Sequence, residues 1–258
     1  FFIFLFSVLL FQSGQEHCLH AIDFFSYFWG NVFDKSRQNE FPELCRAKKT
    51  TTKFNDSYPA SFSMQNNDQI LEAIEHYLGQ IGYPEEPGRL YAPISYSLTM
   101  SGKRLRPMLL MLTCGIFSDQ PQAAMPAAAA VEVFHNFTLL HDDIMDNAAM
   151  RRGNPSVFAK WGQNVAILSG DAMLISAYRL LSEYPPQVLP QILARFNTMA
   201  IEVCEGQQYD MDFETRESVS VEEYLHMIEL KTSALLSGAT VIGAIIGGAG
   251  EEDCQRLY

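Results

Sequence analysis

Residues 123–146 decide the fold, and they read AAMPAAAAVEVFHNFTLLHDDIMD. The first two thirds of this stretch are apolar nearly all round, without the polar face that a surface helix carries. A helix of that composition is normally buried inside a helical bundle. The stretch therefore predicts a central helix whose acidic groups are concentrated at its C-terminal end.

The sequence on either side of this stretch also has a helical period. Leu71, Ile74, Leu78 and Ile81 recur at spacings of three and four, as one face of a helix requires. Further helices are predicted over residues 107–117, 163–183, 187–212, 221–236 and 238–248. No alternation of apolar and polar residues between turn signals predicts a strand. The predicted fold class is all-α.

The first 63 residues differ in composition from the rest. Residues 1–11 are almost continuously apolar, but they fall short of the roughly 20 residues of a membrane span and lack the charged start of a signal peptide. The first methionine is Met64, and Asp68 after it is expected to cap a helix. We expect residues 1–63 to be a leader or translated upstream sequence outside the fold, and residues 64–258 to form one domain. The alternative is a genuine membrane-directing leader.

Composition narrows the class of function. The chain has 258 residues, of which 48% are hydrophobic, enough for one substantial core. Its net charge of −12 argues against a nucleic-acid partner, which would need a basic face. The five cysteines are widely spread and have no paired metal-ligand spacing, which is typical of thiols in a reducing compartment. We therefore expect a cytoplasmic protein.

Two aspartates at the end of the central stretch predict a metal site. Asp142 and Asp146 are four residues apart, which places both on one face of a helix. Two unit charges about 4 Å apart repel by roughly 4 kcal/mol at an effective dielectric constant of about 20, and the helix dipole also disfavours anions there. A divalent cation bound by both carboxylates replaces this repulsion with attraction. Mg²⁺ usually binds through one or two carboxylates, together with phosphate oxygens and water. Asp143 lies off the shared face and is expected to support the pair; the alternative is a solvated acidic helix end.

Basic residues flank the aspartates on both sides in the sequence. Arg151 and Arg152 follow Asp146 after four residues, and guanidinium groups bind phosphate oxygens in a bidentate way. Residues 102–107 read GKRLRP and lead into a helix N-terminus, which favours an anion. His135 precedes Asp142 by seven residues, so it faces the same groove. Surface charge and a core histidine are the alternatives.

Six pieces of this sequence resemble the trans-isoprenyl diphosphate synthases, also called polyprenyl synthetases. The pieces are residues 102–107, Glu132 with His135 and residues 139–146, residues 151–153, Leu168-Ser169-Gly170-Asp171, Gly206-Gln207 with Asp210, and Lys231-Thr232. The resemblance covers about residues 64–258. It implies an isoprenoid-synthase-type helical bundle around a central apolar cavity, assembled as a homodimer. It also implies Mg²⁺-dependent condensation of isopentenyl diphosphate with an allylic diphosphate into a short all-trans product.

The resemblance also implies a role for each matching residue. The diphosphate of isopentenyl diphosphate is assigned to Lys103, Arg106, His135 and Arg152. Magnesium is assigned to Asp142 and Asp146 with Asp143 in support, and the allylic diphosphate to Arg151 and Lys231. Thr232 and Gln207 are placed, with Lys231, at the reacting carbons, while Phe137 and Thr138 are assigned to the cavity floor that limits product length. We expect a product of farnesyl or geranylgeranyl size; Phe134 is a further candidate for the floor, and ordinary core aromatics are the alternative.

The sequence departs from the family pattern at its C-terminal end. The second aspartate-rich motif, which supplies a third magnesium in the family, is missing, so we expect a C-terminally truncated chain that is weakly active or inactive. Glu251-Glu252-Asp253 has the wrong spacing and is expected to form a turn between helices. A class I terpene cyclase and a non-catalytic regulatory homologue are the alternatives. The apolar residues 234–248 are expected to be bundle core without stable membrane insertion.

Overall fold

The structure, a computed structural model, describes residues 67–258. The expectations for residues 1–63 lie outside these residues. The α-helices of the described chain are α1 (Asn67–Gln80), α2 (Gly88–Thr99), α3 (Leu105–Phe117), α4 (Met125–Met145), α5 (Val157–Trp161), α6 (Gln163–Leu181), α7 (Leu189–Phe213), α8 (Val221–Ile228), α9 (Ala234–Gly247) and α10 (Glu251–Leu257). A 3-10 turn (Pro121–Ala124) leads into α4, and a π-helical turn (Glu229–Ser233) joins α8 to α9. The all-α class predicted from the sequence is confirmed.

Helix α4 runs through the centre of the bundle. Residues 127–131 are buried on successive positions, so no side of the helix faces solvent along that length. The run of alanines lets the neighbouring helices approach closely, and α4 packs along α6 and against α3 and α1. Helix α9 completes the core by packing along α3 and α7. The C-terminal end of α4 lies next to α7, where Gln207 contacts Met145.

A short hairpin after α4 was not predicted. Met150–Arg151 and Asn154–Pro155 form two antiparallel strands, β1 and β2, in which Arg151 pairs with Asn154. The turn between them has positive φ angles at Arg152 (51°) and Gly153 (78°). Strands of two residues carry no alternating pattern, so periodicity could not reveal them. The hairpin matters because it turns both arginines back towards the end of α4.

Several helices differ from the prediction. Helix α2 was not predicted at all, and the break expected near residue 237 does not exist, because the helix continues through Ser237 and Gly238. Glu251-Glu252-Asp253 forms the first turn of α10 and not a turn between helices. Carboxylates are favoured there because the N-terminal end of a helix carries partial positive charge. Asp68 lies within the first turn of α1.

Two helical stretches of the described chain are long and apolar enough to cross a membrane by length and composition alone. They are Pro121–Met145 and Val221–Gly247. In the first, 67% of the most apolar window is buried within the bundle, and a buried helix of a bundle passes the same test. The apolar residues of α9 belong to the core, where Leu235, Ala239 and Ile242 are buried.

Candidate active site

A cavity of about 280 Å³ opens between α4, α7 and the π-helical turn. Eight of the residues singled out from the sequence line it, namely Arg106, His135, Phe137, Thr138, Asp142, Gln207, Lys231 and Thr232. Arg151, Arg152 and Asp143 line a separate small pocket next to it, of about 10 Å³. Lys103 and Asp146 are exposed and belong to neither lining. The structure thus gathers residues from four separate sequence segments around one space.

The three aspartates at the end of α4 have different surroundings. Asp142 is partly buried, Asp143 is buried, and Asp146 is exposed at the last turn of the helix. Burial and the negative charge of Asp142 raise the pKa of Asp146. Burial also raises the pKa of Asp143, although hydrogen bonds from Arg151 oppose this shift. The carboxylates therefore repel one another, and Asp143 is held by a cation of the hairpin.

Asp142 lies between two cations. Nη2 of Arg151 is 3.2 Å from Oδ2 of Asp142, and Nε of Arg151 donates to Asp143 at 2.8 Å. On the other side, Nζ of Lys231 is 3.5 Å from Oδ1 of Asp142 and also donates to Asp210. Burial lowers the pKa of Lys231, but the hydrogen bond to Asp210 and the charge of Asp142 raise it overall. Both cations are therefore charged and close to the position of an incoming anion.

The aspartates fit a divalent cation that takes few protein ligands. Among residues 67–258, no group of three or more His, Cys, Asp or Glu side chains is arranged to hold a metal ion. Oδ1 of Asp142 is buried and accepts no hydrogen bond from a described residue. Mg²⁺ usually keeps several waters and binds through one or two carboxylates together with substrate phosphates. Asp142 with Asp146 supplies such a pair, and no more than such a pair.

A second cationic site lies around His135, seven residues before Asp142 on α4. Nη1 of Arg106 is 3.1 Å from Nε2 of His135, and both Nε of Arg106 and Nη1 of Arg152 are buried without a hydrogen-bond partner in the described chain. Burial lowers the pKa of both arginines, and the charge of Arg152 lowers that of Arg106 further. A buried donor without an acceptor is costly, so this site is suited to an anion. Lys103 extends from the same loop into solvent.

His135 is neutral in this cluster. Burial, followed by the positive charge of Arg106 and Arg152, holds the pKa of His135 well below its usual range. An arginine can only donate, so Nε2 of His135 accepts from Arg106 and the ring hydrogen lies on Nδ1. His135 thus offers a neutral N–H donor beside two guanidinium groups.

Gly206 brings Lys231 to the cavity. A Cβ atom at Gly206 would lie 2.2 Å from the backbone nitrogen of Lys231, so only glycine allows α7 to approach the π-helical turn this closely. Four residues further along α7, Asp210 accepts from Lys231. The extra residue of the π turn shifts the register of the helix at Lys231 and Thr232, and π turns are frequent at functional sites. The sequence pointed to Gly206 as part of a motif but not to this contact.

His141 is a cavity residue that sequence reasoning did not single out. Its ring meets that of Phe137 edge-on with centroids 4.7 Å apart, and its Nε2 is 3.2 Å from the backbone oxygen of Ile167. A Cβ atom at Gly170 would lie 2.3 Å from Nε2 of His141, so Gly170 provides the space for the imidazole. The glycine of the matching piece Leu168-Ser169-Gly170-Asp171 was the available signal. Phe134, by contrast, is 1% exposed and lies in the core.

A family model described as polyprenyl synthetase matches residues 87–258. The chain is 42% identical to a geranylgeranyl diphosphate synthase of Methanosarcina mazei over 196 residues, which are 75% of this chain and 60% of that protein. It is also 42% identical to a geranylgeranyl diphosphate synthase of Sulfolobus acidocaldarius over 173 residues, 66% of this chain and 52% of that protein.

A crystal structure of a geranylgeranyl pyrophosphate synthase is similar in fold. It is 49% identical, with a TM-score of 0.74, over 76% of this chain and 60% of that chain. The chain therefore spans a little over half of the length of these relatives.

Proposed function

Because the chain belongs to the polyprenyl synthetase family, we propose that it is a Mg²⁺-dependent prenyltransferase that condenses isopentenyl diphosphate with an allylic diphosphate. The observation that carries the proposal is the pair of anion sites beside one apolar cavity. One is the cluster of Arg106, His135 and Arg152, in which two buried donor atoms have no partner among the described residues, and the other is Asp142 with its two cations. A reaction between two diphosphates needs both sites.

Each site has a distinct task in this proposal. Arg106, Arg152 and the Nδ1 hydrogen of His135 bind the diphosphate of isopentenyl diphosphate, and Lys103 adds charge from the solvent side. Arg151 and Lys231 bind the allylic diphosphate. In the structure both of these side chains contact Asp142, and a metal ion at Asp142 would leave them free to bind the phosphate oxygens.

Mg²⁺ held by Asp142 and Asp146, when bound, neutralises charge on the allylic diphosphate and so makes it a better leaving group. Arg151 and Lys231 act in the same sense, because preorganised cations stabilise charge that develops on the departing oxygens. Asp142 and Asp146 would hold the metal ion at the C-terminal end of α4. Asp143, which Arg151 binds, would support the pair.

The bond changes balance without a protein base. The allylic C–O bond breaks, and the diphosphate leaves with the electron pair. The double bond of isopentenyl diphosphate attacks the allylic cation to form a C–C bond, and the proton lost from the adduct passes to the departed diphosphate. Thr232 and Gln207 direct oxygen dipoles towards the allylic cation. Nε2 of Gln207 contacts Sδ of Met145 at 3.6 Å, so the side-chain carbonyl oxygen of Gln207 is left for this purpose.

The product is proposed to be short, of farnesyl or geranylgeranyl size. Phe137 and Thr138 line the cavity, and Phe137 is braced by the rings of His141 and Phe134, at centroid distances of 4.7 and 5.6 Å. An aromatic ring packed on two sides cannot easily move aside, so it is suited to limit the length of the cavity. The relatives carry names of geranylgeranyl and geranylfarnesyl diphosphate synthases, which supports a short product.

We further propose that the protein acts as a homodimer in the cytoplasm, without a nucleic-acid partner and without stable insertion in a membrane. The net charge of −12 supports the exclusion of nucleic acid. In the described chain Cys114, Cys204 and Cys254 are free thiols, which agrees with a reducing compartment.

The test is incubation of the protein with labelled isopentenyl diphosphate, geranyl or farnesyl diphosphate and Mg²⁺, at enzyme concentrations that allow single turnovers to be seen. We expect an acyclic prenyl diphosphate five carbons longer than the allylic substrate, abolished by EDTA. Asp142→Asn should lower the rate by roughly 10²-fold or more, whereas Asp119→Asn, on an exposed loop, is the control.

Two other results would change the assignment. A cyclic hydrocarbon formed from the allylic diphosphate alone would indicate a terpene cyclase. Binding of neither diphosphate by the folded protein would indicate a non-catalytic homologue.

A further inference from the structure

Arg104 is the one basic residue of the segment 102–107 that is turned fully inward. Its side chain is 1% exposed, whereas Lys103 before it is exposed. Its backbone has φ of +45°, in the left-handed region that non-glycine residues rarely adopt, directly before α3 begins. This backbone conformation directs two neighbouring cations of one loop to opposite environments.

The guanidinium of Arg104 ties four helices together. Nε is 2.7 Å from Oε1 of Glu75 on α1, and Nη1 is 2.7 Å from Oε1 of Glu132 on α4. Nη2 donates to the backbone oxygens of Leu98 and Met100, at 2.7 and 3.1 Å, where α2 ends. Arg104 itself precedes the first turn of α3. A planar group with donors in a fixed fork is suited to such a junction, and a lysine is not.

Glu132 connects this junction to the turn of α4 that bears His135. It is 2% exposed and lies three residues before His135 on α4. Nδ2 of Asn136 donates both to Oε1 and to the backbone oxygen of Glu132, at 3.2 and 2.8 Å. The turn of α4 that presents His135 is therefore fixed by the same buried carboxylate that Arg104 binds.

Arg152 meets Arg104 at Gly102. The Cβ position of Gly102 lies 2.9 Å from Nη1 of Arg152 and 3.4 Å from Nη1 of Arg104, so both guanidinium groups lie against this glycine. Two cations this close need a counter-charge. The charge of Glu132 raises the pKa of Arg106 and of Arg152, against the lowering that burial causes.

We propose that Arg104 and Glu132 are positioning residues that hold Arg106, His135 and Arg152, hereafter the clamp, in the geometry that binds a diphosphate. The ion pair touches no substrate. It fixes the loop before α3 to the turn of α4 that bears His135, and it supplies negative charge near the partly buried Arg106 and Arg152. The inference rests on the proposed function, because the ligand of the clamp is taken to be isopentenyl diphosphate.

A positioning role and a purely electrostatic effect predict opposite changes in the affinity for an anion. Glu132→Gln removes a negative charge near the clamp, so a purely electrostatic effect would tighten the binding of an anion. If the ion pair positions the clamp, the same change weakens binding, because Arg104 loses its buried partner and the loop shifts. The sign of the change in affinity therefore distinguishes the two.

The experiment is calorimetric titration of the protein with isopentenyl diphosphate and, separately, inorganic diphosphate, both in EDTA so that the aspartates hold no metal. We expect Glu132→Gln and Arg104→Lys each to weaken binding roughly tenfold, and the double variant to lose little more than either alone, as coupled neighbours do. In turnover assays the KM for isopentenyl diphosphate rises, while the KM for the allylic substrate stays within twofold.

Glu75→Gln keeps the test decisive if Glu132→Gln does not fold. The Glu75 side chain is 44% exposed, so its loss is tolerated, and it should weaken binding about threefold. Glu72→Gln, an exposed residue of the same helix, is the charge-matched control and should leave affinity unchanged.

Wild-type affinity in folded Glu132→Gln and Glu75→Gln, or tighter binding in either, overturns the positioning role. Failure of the wild-type protein to bind isopentenyl diphosphate overturns the proposed function instead.

Discussion

At the scale of single residues, the cationic side chains of this site differ in whether a carboxylate already binds them. Arg151 and Lys231 are charged and paired with Asp142. Arg106 and Arg152 are partly buried, and each has one buried donor atom without a partner among residues 67–258. An anion must displace a carboxylate at the first pair, whereas it fills an open position at the second. Under the proposed function we therefore expect binding at the first pair to depend on a metal at Asp142, and binding at the second not to.

The depressed pKa of His135 makes the protein lose stability in acid. The unfolded chain takes up a proton on this residue near pH 6.5, while the folded protein does so only at much lower pH because of burial and the nearby arginines. The free energy of unfolding should thus fall by roughly 1 kcal/mol per pH unit below about pH 6.5. His135→Gln should lose this part of the acid dependence in urea titrations, and His76→Gln, on an exposed histidine, should retain it. Equal slopes for the wild-type protein and His135→Gln would contradict a neutral buried histidine.

Phe137 is expected to limit the length of the product. Phe137→Ala removes the ring that lines the cavity and contacts His141, so the product distribution should shift to chains at least one isoprene unit longer, as read by mass spectrometry. Phe134→Ala is the control, because Phe134 is buried against Phe137 and Phe196. It should destabilise the protein by about 3–5 kcal/mol and change product length less. Unchanged products from Phe137→Ala would remove Phe137 as the floor.

At the scale of helices, the π-helical turn and α7 act as a unit. The pattern of residues 221–236 predicted a helix but could not distinguish a π turn, because the eight residues of α8 before it are too few to show a shift in apolar spacing. The contact that requires the turn, Gly206 against Lys231, joins residues 25 positions apart. This separation is why the motifs could be seen in the sequence while their junction could not.

Gly206→Ala should therefore damage both stability and activity. The added methyl group meets the backbone of Lys231, which cannot move aside as a flexible side chain would. Overpacking of this kind costs about 1–3 kcal/mol, and the displacement of Lys231 should lower the rate of product formation more than Tm alone explains. Gly79→Ala on α1 is the matched control, since nothing lies within 4 Å of its Cβ position. It should leave activity unchanged and raise stability slightly; full activity in Gly206→Ala would refute the close-contact argument.

At the scale of the whole molecule, helix α6 presents apolar side chains to solvent. Leu168 and Ile175 are 58% and 60% exposed and lie seven residues apart on one face. The proposed homodimer would cover such a face. Light scattering coupled to gel filtration should give twice the chain mass for the wild-type protein, and Ile175→Glu should shift it towards the monomer. Ile201→Glu, on the exposed side of α7, is the control; a monomeric wild-type protein would exclude the dimer.

The sequence by itself determined the class of fold, and it singled out eight of the residues that line the cavity. The apolar stretch 123–146 requires burial on all sides, and this needs no knowledge of the partners. The spacing of Asp142 and Asp146 along one helix follows from helix geometry alone. Local rules suffice for both, because burial and spacing repeat along the chain.

Only the tertiary structure decided which cations face inward and what holds them. Lys103 and Arg104 are adjacent and alike in sequence, yet one is exposed and the other buried. Their difference depends on a positive φ angle at Arg104 and on Glu132, 28 residues away. A loop has no period that records the direction of its side chains, so such contacts arise only when distant helices meet.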